Sequence, residues 1–305
     1  MTNKAKIVFI VMLVLLCSCT PQQSLHSRQE AIPETAVKIT PDMDSNPPQS
    51  FSDEYADPVP IPVIDTAGAE DSAFIMPDGK TLYFFFTPDV NVPVERQLFD
   101  GSTGIYVARK TNGWSEPERV LLQDKGKLSL DGCAFIQDKS MWFCSAREGY
   151  TGLHWFTTVL KDNKWQNWKN TDFPASYEVG ELHMTADELY FHSSRAGGKG
   201  GLDIWVSKKV NGAWSEPENV ANVNSAGDEG WPCISPDGKE LWFSKEYSVW
   251  RSKSINSIWA APERMFGPLV GEPSLDAAGN VYFTHHFYRN NTMLEADIYI
   301  AEKKH

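Results

Sequence analysis

One carboxylate recurs in each of five short segments of this chain. The apolar column Ile75, Ile136, Met184, Ile234 and Leu275 aligns these segments. Glu70, Asp131 and Glu229 stand five residues before it, and Glu181 and Glu272 stand three before it. Side chains two apart on a strand share a face, so all five acids are expected at one end of the same face. Crowded carboxylates repel, and a bound cation or a raised pKa relieves the repulsion. Two of them roughly 5–10 Å apart also suffice to cleave a glycosidic bond. The candidates for acid–base work are therefore Asp131, Glu181, Glu229 and Glu272, with His183 and His192 close by in the sequence. The candidate ligand-binding set is Glu70, Asp131, Glu181, Glu229 and Glu272, with Arg147 and Arg195 after the second strands. Against this stands a structural reading, in which each acid accepts backbone N–H groups of a neighbouring loop and ties one unit to the next.

The elements that position these acids repeat. AFIMPDGKTLYFF, CAFIQDKSMWFC, LHMTADELYFH, PCISPDGKELWFS and PSLDAAGNVYFTH each read as an apolar strand, a tight turn and an aromatic strand. Asp-Gly turns are strong hairpin signals because glycine accepts positive φ. Third strands follow as GIYVARK, LHWFTTV, DIWVSKK, VWRSKS and DIYIAEK. Phrases such as NGWSEPERV and NGAWSEPENV then close a unit. Four-stranded units of roughly 40–60 residues are propeller blades. The expected fold is all-β, a five-bladed β-propeller, with a degenerate sixth blade as the alternative. The last unit lacks a fourth strand, and Pro58 to Val63 match that strand elsewhere. The N-terminal strand is therefore expected to close the last blade and remove a sheet edge.

SPDGKELWFS, SSRAGGKGGLDIW and WSEPENV resemble the PD40, or WD40-like, repeats of the TolB-type propeller family across about residues 58–303. The second and fifth units depart from the pattern, at IQDKS and DAAGN. The resemblance implies that Arg147, Arg195, Asp203 and Asp297 are structural ties. It specifies a fold and leaves the reaction open. Trp114, Trp214 and Trp259 read as core wedges between blades.

With two unpaired residues at each turn, the register sets Glu181 opposite His192, Glu272 opposite Thr284, and Cys133 opposite Cys144. An export route permits a Cys133–Cys144 disulfide, and two buried thiols are the alternative. Cys233 reads as a core residue. His285 and His286 point to opposite faces, and no His or Cys spacing resembles a zinc site. GGKGG lacks the spacing of a phosphate-binding loop. The first unit carries the insertion TPDVNVPVERQLFDGSTG, with Leu98 and Phe99 in a long loop of the kind that binds partners.

Of the 305 residues, 41% are hydrophobic, which is enough for a large core, and the formal net charge is −12. Such an acidic chain repels phosphate backbones, which excludes nucleic acid. Lys4 and Lys6 precede the apolar run Ile7 to Leu16, which is too short to span a bilayer. Leu16-Cys17-Ser18-Cys19 resembles a bacterial lipoprotein signal, implying cleavage after Ser18 and a lipid on Cys19. Thr20 then points to the outer membrane, facing the periplasm or the cell surface. Residues 19–57 are rich in Pro, Ser, Gln, Asp and Glu and read as a flexible tether. The expected domains are a signal at 1–18, a tether at 19–57 and a propeller at 58–305. The expected function is a monomeric, lipid-anchored binding module for an envelope protein or glycan. The alternative is a glycosidase or polysaccharide lyase working through the inner-strand acids. No cofactor is expected beyond a Ca²⁺ that the channel acids could hold.

Overall fold

The computed structural model describes residues 27–304. Met1–Ser18 and the lipidation candidate Cys19 lie outside that range. Strands dominate, and five antiparallel hairpins make the core of the molecule. They are Ala69–Ile75 with Thr81–Thr87, Ser129–Gln137 with Ser140–Arg147, Leu182–Met184 with Glu188–Ser193, Glu229–Ile234 with Glu240–Lys245, and Val270–Leu275 with Val281–Arg289. Third strands pair outside them at Gly104–Arg109, His154–Lys161, Asp203–Val210, Ser248–Ile255 and Thr292–Ala301. The first strands touch in sequence order, and that of unit five returns to that of unit one. The strands fall into four open sheets, because one parallel pair, Ala296 with Ala69, joins units five and one. No helix among the described residues is long and apolar enough to cross a membrane.

The aromatic phrase in each second strand explains the packing. Leu82, Met141, Leu189, Leu241 and Val281 are completely buried, and so are Phe84, Phe143, Phe191, Phe243 and Phe283 two residues later. Period-two alternation sends both columns into the core, where each phenylalanine contributes about 1.5–3 kcal/mol of apolar burial. Trp114 of unit one meets Tyr282 of unit five edge-on, and Trp259 of unit four meets Tyr190 of unit three. These tryptophans are wedges between units, as their repeat position implies.

The closing strand forms as the repeat alignment requires. Val59–Pro60 pairs with the third strand of unit five, Val59 opposite Ile300 and Pro60 opposite Tyr299.

The segment ahead of it differs from the expected tether. Residues 27–57 lie against the sheets as a strap. Arg28 and Tyr55 are buried, and Gln49–Ser50 pairs with Gly267 and Phe266 at the edge of unit four. Charge drives this docking where composition does not suggest it. Arg28 reaches Glu70 at 2.9 Å, Lys38 holds Glu295 and Asp297, and Glu54 holds the buried Arg251 at 2.6 Å. Arg28 also lies over the rings of Phe84, Phe86 and Tyr106.

Removing one partner of a buried ion pair strands the other. Arg28→Ala should lower the unfolding free energy by about 3–5 kcal/mol in urea melts. Arg28→Met combined with Glu70→Gln should recover most of that loss.

Candidate functional site

A β-bulge decides where the acids go. Two residues of the first strand oppose one residue of the second in units one, two, four and five: between Asp71 and Phe74, Gly132 and Phe135, Gly230 and Cys233, and Gly271 and Ser274. The first extra residue is left-handed each time, with φ of 49° at Ser72, 53° at Cys133, 51° at Trp231 and 58° at Glu272. A bulge breaks the alternation of faces and re-aims a side chain. The two acid columns therefore do not share a face. In unit three the paired strand begins only at Leu182, and ahead of it two residues bond to His192: the Gly180 N–H donates to its carbonyl at 2.9 Å, and its own N–H donates to the Glu181 carbonyl at 3.2 Å.

Glu70, Asp131 and Glu229 do not join the funnel. All three are buried, and each is neutralised by one cation. Glu70 takes Arg28, Asp131 takes Arg147 at 2.7 Å, and Glu229 takes Lys245 at 2.9 Å. Local donors complete each shell. The N–H and hydroxyl of Thr66 reach Glu70, those of Ser225 reach Glu229, and the hydroxyls of Ser129 and Ser145 reach Asp131. These acids tie loops to strands, and none of the three lines the funnel cavity where the repeat alignment places them. The two arginines follow them inward. Arg147 is packed over Phe156 and Trp168, and Arg195 lies over Trp205.

The bulge residues line the funnel instead. A cavity of about 40 Å³ is walled by Ser72, Cys133, Glu181, Trp231 and Glu272, with His183 further down. Ser72 joins two of its acids, its N–H donating to Glu272 at 2.6 Å and its hydroxyl to Glu181 at 3.3 Å. Thr284 Oγ1 donates to Glu272 at 2.9 Å. The backbone register differs by one from the expected pairs, with Gly271 opposite Thr284 and Gly132 opposite Cys144. The bulge still swings Glu272 onto Thr284, and Cys133 into a disulfide with Cys144 at a Cα separation of 5.4 Å. Cys233 is a buried free thiol.

Asp71 is the acid that repeat alignment missed. It occupies neither repeating column, yet its charge meets those of Glu272 and Glu181. Its position beside the bulge is the only signal the sequence carried. Burial, then those two charges, push its carboxyl well above the usual range. Burial, followed by the charge of Glu272, pushes the Glu181 carboxyl up to about 8. Burial lowers both His183 and His192 to about 4. His192 Nδ1 accepts the Trp231 N–H at 3.0 Å, which requires a neutral ring. His183 stacks edge-on to Phe135 at 4.8 Å and, with Phe74, plugs the channel. Beyond that plug a separate cavity of about 530 Å³ opens among the hairpin turns.

A larger groove of about 800 Å³ lies between units one and two, lined by Tyr83, Trp165, Arg109 and Glu118. Its Arg109 pairs with Glu118 at 3.2 Å, both solvated. The insertion of unit one carries a short turn of helix, Val94–Gln97, and leaves Val94 and Phe99 exposed.

No family model matches this chain, and no curated protein does. Solved structures resemble it in fold alone. GH43B of the Bacteroides ovatus xyloglucan PUL superposes over 80% of this chain and 53% of its own, with a TM-score of 0.48 and 12% identity. A putative TolB from Agrobacterium tumefaciens aligns over 72% of this chain and 89% of its own, with a TM-score of 0.36 and 16% identity. A subtype N11 neuraminidase-like protein of a flat-faced bat influenza A virus covers 85% and 94%, with a TM-score of 0.38 and 8% identity. The chain thus spans about half the length of the first of these. The fold is all-β and propeller-like.

The acids and histidines of the funnel pull stability in opposite directions with pH. Folded Glu181 keeps its proton to about pH 8, whereas an unfolded glutamate loses it near 4.5. Its contribution is therefore complete below about 4.5 and is lost as pH rises to 8. His183 and His192 contribute fully above 6.5 and lose that contribution as pH falls to about 4. Glu181→Gln should thus be more stable than the parent at pH 8, with a smaller gain at pH 5, in urea melts at both values. Equal gains at both would contradict the assignment.

Proposed function

We propose that this chain is a five-bladed propeller of the PD40 type that binds an envelope glycan at its funnel mouth without cleaving it. A lipid on Cys19 would hold it to the outer membrane. The blade count rests on the five hairpins whose first strands touch in a ring. The glycan reading rests on Trp231, Glu181 and Glu272 standing together at one opening. An indole face stacks on the C–H face of a sugar, and carboxylates accept its hydroxyls.

The observation that favours binding over cleavage is volume. The whole cavity that Glu181 and Glu272 line is about 40 Å³. A water needs roughly 10–15 Å³ by the same measure, so about three fit. Pockets that enclose whole small ligands run to roughly 300–1,000 Å³. A sugar therefore rests over the mouth, with only an exocyclic group entering, and its glycosidic bond does not pass between the two acids. One feature favours the enzymatic alternative: burial and the charge of Glu272 push the Glu181 carboxyl up to about 8, the direction a general acid needs.

Fluorescently labelled peptidoglycan fragments and surface polysaccharides separate the two. Binding without product is expected, weakened at least about tenfold by Trp231→Ala, the scale of about 1.4 kcal/mol. Product that disappears in Glu181→Gln would make the protein a hydrolase or lyase. Binding unchanged in Trp231→Ala would remove the funnel mouth as the site.

A further inference from the structure

Away from the funnel, three carboxylates meet where unit five joins unit one. Oxygens of Asp65, Glu70 and Asp297 all lie within 4.8 Å of one another. Ligands at roughly 2.3–2.6 Å from a calcium ion stand at most about 5 Å apart, so this spacing fits one ion. The carboxylates are already oriented. Asp65 accepts the N–H groups of Ile61 and Ile298, each at 3.0 Å, and Glu70 is fixed by Thr66. Asp297 gives one oxygen to Lys38. Its other oxygen, Oδ1, is buried and has no hydrogen-bond partner among the described residues, in a side chain only 3% exposed. Leaving such an acceptor unpaired is costly.

Charge points the same way. Burial pushes all four carboxyls up, Glu70 and Asp297 to about 7; fully ionised, Asp65, Glu70, Asp297 and Glu295 bring four negative charges against the two positive ones of Arg28 and Lys38. The deficit is two. Asp65 also lines a surface cavity of about 490 Å³, together with Arg28, Thr66 and Tyr106, which gives an ion a way in.

The junction between units three and four repeats this arrangement with one difference. Asn224 binds Ile204 as Asp65 binds Ile298, Ser225 holds Glu229 as Thr66 holds Glu70, and Asp203 stands where Asp297 does. Asp203 Oδ1 is likewise unpaired. The free oxygen alone therefore does not set the two junctions apart. The third carboxylate does, because Asn224 is neutral and Lys245 already sits on Glu229.

We propose that Asp65, Glu70 and Asp297 bind one Ca²⁺ that locks the last unit, the first unit and the strap together. This goes beyond the funnel and does not depend on the function proposed for it. The test is thermal unfolding of the full chain in detergent, stripped with chelator and titrated with CaCl₂. At a hundredfold excess over Kd the midpoint should rise by about 5 °C. Asp65→Asn writes the residue of the sister junction, so it should fold and lose the response, while Glu181→Gln should keep it. A wild-type midpoint indifferent to Ca²⁺ would overturn the proposal, including the case where Asp65→Asn is simply more stable, which would mean the acids hold a proton instead. A response that survives Asp65→Asn and vanishes in Glu181→Gln would place the ion in the funnel and overturn it equally.

Discussion

Three buried first-strand carboxylates, Glu70, Asp131 and Glu229, each carry one cation, and the arrangement of the sheets depends on that pairing. A lone ionised carboxylate in a dry core costs several kcal/mol even after relaxation. In unit two the cation is Arg147, and in unit four it is Lys245, both on the adjacent second strand. In unit one the residue opposite Glu70 is Phe86, which has no charge to offer. Arg28 comes from the strap to fill that place. Units three and five carry Val179 and Val270 at the same position and need no cation. The docking of Arg28 thus fills the place of one missing basic residue in a repeat, while Lys38 and Glu54 hold the rest of the strap.

A second constraint follows from the bulge. A regular strand would have kept Glu70 and Ser72 on one face, so that ties and funnel competed for the same space. The extra left-handed residue separates them. Glu70, Asp131 and Glu229 before the bulge turn to the loops and their cations, and residues at the bulge turn to the axis. Structural charge and available charge are thereby segregated within three residues of one strand. The funnel acids have only hydroxyl, amide and indole donors nearby, which is why burial and mutual repulsion raise Glu181 and Asp71.

Several features were legible in the residues alone. The five aromatic hairpins, the closing strand at Val59–Pro60, the tryptophan wedges and the Cys133–Cys144 proximity all follow from local alternation and from repeat alignment. Of the five carboxylates read as one set, Glu181 and Glu272 do meet. Glu70, Asp131 and Glu229 do not, and Asp71 joins in their place.

The repeated phrases determined the strands, their order and the buried columns by themselves, because a period of two and a unit that recurs are local properties of a chain. Only the tertiary structure decided which acids face the axis and which are neutralised. One inserted residue reverses strand parity without changing composition, and the Arg28–Glu70 pair spans 42 positions with no periodic signal to announce it. The strap read as a tether for the same reason: its few apolar residues cannot fold alone, and the charges that hold it belong to sheets made later in the chain.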